Sequence, residues 1–237
     1  MAVEVDIKAL LEAGVHFGHK TSRWHPKMAP YIHSKRQESH IIDLTKTVEG
    51  LEKALPFIAK VAASGKPVLF VGTKKQAKDI TRAAAEKAGQ PFVTERWVGG
   101  MLTNVATVTA QVRKLKDLER RMASGDLDKR YNKLEVQRFQ EEIDLLNVKY
   151  GGIKDMSGKP GVVIVLDTIE DANAIKEARV LGVPVVAIVD TNANPSLVDY
   201  VIPGNDDAIK GLSLLLDYFA QAADASKAKA EAPAPTK

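Results

Sequence analysis

Runs of consecutive apolar residues bounded by turn formers recur along the chain, and each reads as a strand buried on both faces. Val68–Gly72 (VLFVG), Val162–Asp167 (VVIVLD) and Val185–Asp190 (VVAIVD) are the clearest, with shorter candidates at His40–Leu44, Phe92–Thr94 and Tyr200–Ile202. Helical spacing separates them. Val48, Leu51, Leu55, Ile58 and Ala62 keep the three/four rhythm of one helix face, although Pro56 inside that pattern predicts a kink or break. Ala77, Ile80, Ala84 and Ala88 mark a second helix that Gly89 closes. Thr168 is placed to cap a third, which Gly182 and Pro184 terminate. Asn205 opens the last, with Asp206 and Asp207 in its first turn and Ile209, Leu212, Leu216 and Phe219 on its apolar face. Strands alternating with helices predict an α/β fold, a parallel sheet covered on both sides. Right-handed crossovers make it doubly wound.

Residues 103–150 break the alternation. Val105, Val108, Val112, Leu115, Leu118 and Met122 form one apolar stripe, and Val136, Phe139, Ile143, Leu146 and Tyr150 a second. Ser124-Gly125-Asp126 between them is a turn signal. Asn132 with Glu135 has the spacing of a capping box. The other faces are dense in charge, so this stretch reads as an inserted antiparallel coiled-coil hairpin. Arms of roughly 20 residues would extend about 30 Å. The expected domains are residues 1–102 with 151–224 as one α/β unit, in which 1–39 form a basic N-terminal segment, and 103–150 as the inserted hairpin. Residues 225–237, rich in Ala, Lys, Glu and Pro, are expected to be a disordered tail.

The 237 residues carry a net charge of +4, too mild to name a polyanionic partner by itself. Its placement is more informative. From Ala13 to Gln37 there is no acid, yet Lys20, Arg23, Lys27, Lys35 and Arg36 lie there. Phe17, Trp24 and Tyr31 are interleaved with them. Cations neutralise phosphates and rings stack on unpaired bases, so the segment reads as RNA-binding; the plainer alternative packs the rings and solvates the charges. Arg96 and Trp97 permit the same two readings. The absence of cysteine removes disulfides and cysteine-ligated metal and fits a reducing compartment. The first residues lack the pattern of a secretory signal, and no apolar run spans a bilayer, so a cytoplasmic location is expected.

Other chemistry has weaker support. Gly72-Thr73-Lys74-Lys75 follows a strand and opens a helix, a place suited to phosphate, with RNA backbone favoured because no nucleotide-binding glycine motif is present. Asp167 and Asp190 end apolar strands. Together they could hold Mg²⁺ for phosphoryl transfer, the alternative function, or each could simply cap the turn that follows. His16 and His19 are spaced to ligate a metal, but the surrounding residues do not form a zinc-protease motif. No cofactor is expected.

Taken in order, Gly14–His19, Trp24–Met28, His40–Leu44, Phe70–Lys74, Glu95–Gly100, Gly151–Met156, Val185–Asn192 and Ile202–Ala208 resemble blocks of the bacterial small-subunit ribosomal protein S-two family. The resemblance covers nearly the whole chain. It implies a flavodoxin-like α/β domain with an inserted helical hairpin and no catalytic activity. It implies a structural role in the small ribosomal subunit, with contacts to small-subunit rRNA and to other small-subunit proteins, and a part in docking protein S-one. The chain departs from the pattern at Ala193, where many relatives carry cysteine, at Ser196, where an acid is common, and at Pro56.

Overall fold

The computed structural model describes residues 5–224, so the expected tail at 225–237 lies outside the described residues. Five strands form one parallel sheet: β4 (Val68–Val71), β5 (Phe92–Val93), β6 (Val162–Val165), β7 (Val185–Val189) and β8 (Tyr200–Pro203), in the order β5-β4-β6-β7-β8. Successive side chains of each strand point to opposite faces, which divides the core in two. Val68, Phe70, Val162, Ile164, Val186, Ile188 and Ile202 pack under helices α2 (Leu44–Ala63), α3 (Lys78–Ala88) and α8 (Ile209–Ala223). Leu69, Val71, Val163, Val165, Val185, Ala187 and Val189 face α7 (Ala172–Val180) and the segment around Trp97–Leu102. The sheet is therefore covered on both sides, which is why its strands are apolar throughout.

The expected strand at His40–Leu44 belongs elsewhere. β3 (Ser39–Ile42) lies between β1 (Phe17–Lys20) and β2 (Ile32–Arg36) in a separate three-stranded antiparallel sheet. Its burial alternates between half-buried and buried, as a strand with one covered face requires. Helix α1 (Ile7–Glu12) precedes this small sheet, capped by the Asp6 side chain.

Three helix expectations are also corrected. Pro56 does not break α2. It stands on the exposed side, as does Glu52 one turn earlier, so the carbonyl that loses its N–H partner can be hydrated. Thr168 does not cap α7. Asp167 accepts hydrogen bonds from the amides of Ile169 (2.7 Å) and Glu170 (3.0 Å), and the resulting turn delays the helix to Ala172. Asn205 accepts from the amides of Asp207 and Ala208, so α8 begins at Ile209; Asp206 and Asp207 precede its first turn, and Ile209 is exposed.

Between β5 and β6 run α4 (Val105–Ala123), the short α5 (Asp126–Arg130) and α6 (Lys133–Tyr150). Asn104 caps α4, and Asn132 and Glu135 form the expected capping box of α6. Leu115, Leu118, Ile143, Leu146 and Tyr150 are buried along the two stripes, whereas Val105 is exposed. Polar bridges join α4 and α6. Lys114 meets Glu142, and Glu119 meets Asn147.

The exit from α6 is tight. A Cβ at Gly152 would lie 2.2 Å from the carbonyl oxygen of Phe92 and 2.7 Å from its ring. Gly152→Ala is expected to cost roughly 1–3 kcal/mol through overpacking, read as a lower urea midpoint with an unchanged slope. A midpoint equal to the parent's would show that Phe92 moves freely.

Candidate nucleic-acid interface and the ion cluster behind it

The acid-free segment is folded. Around the middle strand, Ser39 pairs with Lys20 on one side and with Arg36 on the other. Residues directly opposite share a face, so Lys20 and Arg36 flank Ser39 about 10 Å apart, two strand spacings. Arg23 lies on a 3-10 turn after β1 and Lys27 on a second turn before β2. Lys20, Arg23, Lys27, Lys35 and Arg36 are all exposed. Trp24 is 38% exposed and tilts over the buried His40, with ring centroids 5.3 Å apart. Tyr31 is half-buried. Burial and then the charge of Lys35 push His40 below the usual histidine range, and burial pushes His16 down as well.

Thr191, after β7, holds this segment to the parallel sheet. Its hydroxyl accepts from the His19 amide (2.9 Å) and its carbonyl from the His25 amide (2.7 Å). Met28, fully buried, anchors the second turn in the core. The cations thus project from a seated scaffold.

Two of the expected RNA contacts are corrected by their surroundings. The Lys74 ammonium sits 2.7 Å from Asp206, 2.7 Å from Asp207 and 3.1 Å from Asp167. Three carboxylates match its three donors, so nothing remains for a phosphate. Burial opposes that charge, but the hydrogen bonds to Asp206 and Asp207 outweigh it and hold Lys74 above the usual lysine range. Trp97 is only 8% exposed and packs in the core, with Nε1 donating to Glu177 at 2.9 Å. It offers no stacking face. Lys75 and Arg96 are exposed.

The expected pairing of His16 with His19 is replaced by a different set. His19 Nδ1 lies 3.0 Å from the buried Asp190, and Nε2 is 3.5 Å from Asp207. His19, Asp206 and Asp207 bring their donor atoms within 4.8 Å of one another, an imidazole and carboxylate set of the kind that suits zinc. His16 instead lies against Phe17, ring centroids 4.0 Å apart. Burial, then the charges of Asp190 and Asp167, push Asp206 up to about 7. The acids that complete this cluster were not legible as its partners. Asp206 is 132 residues from Lys74 in the chain, and its sequence context suits a helix start equally well.

The family profile described as ribosomal protein S2 matches residues 10–226, which is most of the chain. The chain belongs to the ribosomal protein S2 family. It is 50% identical to the small ribosomal subunit protein uS2 of Roseiflexus sp. (strain RS-1), covering 92% of this chain and 83% of that protein. It is 49% identical to the uS2 protein of Thermus thermophilus, over 91% of this chain and 84% of the relative. The corresponding protein of Chloroflexus aggregans is 48% identical over 92% of both chains. The α/β architecture and the ribosomal resemblance expected from the sequence agree with this membership. No helix among the described residues is long and apolar enough to cross a membrane.

Proposed function

We propose that this small-subunit ribosomal protein grips rRNA with its N-terminal sheet and turns. Lys20, Arg23, Lys27, Lys35 and Arg36, with Lys75 and Arg96, neutralise phosphates, while Trp24 and Tyr31 stack on unpaired bases. One observation supports this reading above the others: the acid-free stretch is seated on the domain through Thr191 and Met28, yet its cations stay exposed. Family membership supports a structural, non-enzymatic role and a place in the ribosome, in the cytoplasm. The helices α4 and α6 serve as a coiled-coil arm inserted in the α/β domain, reaching neighbouring protein or RNA. Their stripes bury Leu115, Leu118, Ile143 and Leu146, and their outer faces carry the charge. Docking of protein S-one comes to this chain from the family resemblance alone.

The magnesium-dependent phosphoryl-transfer alternative has no support. Asp167 is committed to loop amides and Lys74, and Asp190 to Thr191 and His19. The test of the ribosomal reading is sedimentation of an extract containing the tagged chain. The protein is expected to travel with small subunits and to move to lighter fractions after ribonuclease treatment. Persistence at the top of the gradient without ribonuclease would refute it.

A further inference from the structure

We infer that Glu177 is the positioning residue that sets the angle of the helical arm on the α/β body. The inference rests on reading α4 and α6 as an arm. Glu177 lies on α7, whose Ala174, Ile175 and Ala178 are buried against the sheet, so its backbone is fixed to the body. Its side chain reaches across to the chain entering the arm. Oε1 accepts from Trp97 Nε1 (2.9 Å) and the Gly100 amide (2.8 Å). Oε2 accepts from the Leu102 amide (3.0 Å) and from the amide and hydroxyl of Thr103 (3.2 Å each). These donors use the lone-pair sites of both carboxylate oxygens.

The geometry of the entry depends on this grip. Gly100 takes a left-handed conformation (φ +86°), which a side chain rarely adopts, and turns its amide toward Glu177. Its carbonyl then accepts from the Asn104 amide at 2.7 Å, and Asn104 caps α4. The first helical residue therefore follows the clamped segment almost at once. The exit is held differently, by the close fit of Gly152 on Phe92. A charged clamp at one root and a packed contact at the other define a direction that neither would define alone. Hydrogen bonds to a charged group are the stronger kind, so the clamp outlasts its neighbours in the loop.

The absence of cysteine makes the test direct. Spin labels are placed on the full chain through Ser124→Cys at the far turn and Ser64→Cys on the body. The parent is expected to give one narrow distance distribution. Glu177→Ala is expected to broaden or shift it. Glu177→Gln, which replaces one accepting oxygen with an NH₂ group and leaves the donors on that side unmet, is expected to do the same. Trp97→Phe removes one donor and keeps a ring, and is expected to broaden the distribution less than Glu177→Ala does. Amide exchange at Gly100, Leu102 and Thr103 is expected to accelerate about tenfold or more in Glu177→Ala, with β6 and β7 unaffected. An unchanged distance distribution in Glu177→Ala overturns the inference. Incorporation into small subunits is measured in parallel. A loosened arm with full incorporation upholds Glu177 as the positioning residue while removing the arm from assembly; reduced incorporation with an unchanged distribution overturns Glu177's role and leaves the arm's.

Discussion

Replacing Lys20, Arg23 and Lys27 together with alanine is expected to lower the salt dependence of rRNA binding by roughly two units of log–log slope. Each phosphate contact to single-stranded nucleic acid contributes about 0.7 to that slope, and three contacts are removed. All three side chains are exposed on the small sheet and its turns, and among the described residues no ion pair of theirs holds the fold together. The folded state should therefore survive with little change in thermal midpoint. Lys66→Ala with Lys87→Ala is the matched control. Lys66 lies in the loop before β4 and Lys87 pairs with Asp217 on the helical face, away from the acid-free segment. The control is expected to leave the slope near the parent's. Equal slopes in the triple variant and the parent would remove these residues from the interface.

Lys74→Met is expected to destabilise the domain by about 3 kcal/mol at neutral pH, because it leaves buried carboxylates without their cation. Asp206 and Asp167 are nearly buried, and Asp190 stands behind them. Asp207 is half-exposed and regains water, which keeps the cost toward the low end of the range for broken buried pairs. The pH dependence fixes the mechanism. Asp206 titrates at about 7 in the folded parent, above its ordinary value, and losing the ammonium raises it further. A carboxyl raised by folding leaves stability intact at low pH, where both states are protonated. Stability is lost as pH rises through the interval between the unfolded and folded values. The variant keeps Asp206 protonated to higher pH, so the deficit of Lys74→Met should grow as pH rises past about 7 and be larger near about pH 8 than near about pH 5, measured by urea unfolding at each. The same deficit at both would mean that Lys74 acts through packing alone.

The parallel sheet was legible because its strands are buried on both faces and so are apolar throughout, with helix patterns between them. The small antiparallel sheet was not. Its strands are short and polar on one side, and the turn from β2 to β3 uses Gln37 and Glu38, both with positive φ (47° and 65°). A two-residue turn of that hand is usually announced by Asn-Gly or Asp-Gly, and here the usual signal is missing. The exposed cluster of cations could be read from the sequence because the absence of acid is a local property. The fate of Lys74 and Trp97 could not, since both are decided by acids brought from far along the chain. Glu177 gave little sign of itself: it sits between a lysine and an alanine on an ordinary amphipathic helix. Only its position three residues after the buried Ala174 hinted that it borders the core.

The strand order turns back between β4 and β6, and open α/β sheets offer their ligand crevice at the carboxyl ends of such a pair. In this protein Lys74 follows β4, Asp167 follows β6, and the two meet across that mouth. A nucleotide or flavin entering there would have to separate a lysine from three acids while bringing further negative charge to them. The architecture that elsewhere opens onto a substrate is closed here by its own side chains. What remains is a closed sheet mouth beside which the small cationic sheet is seated through Thr191.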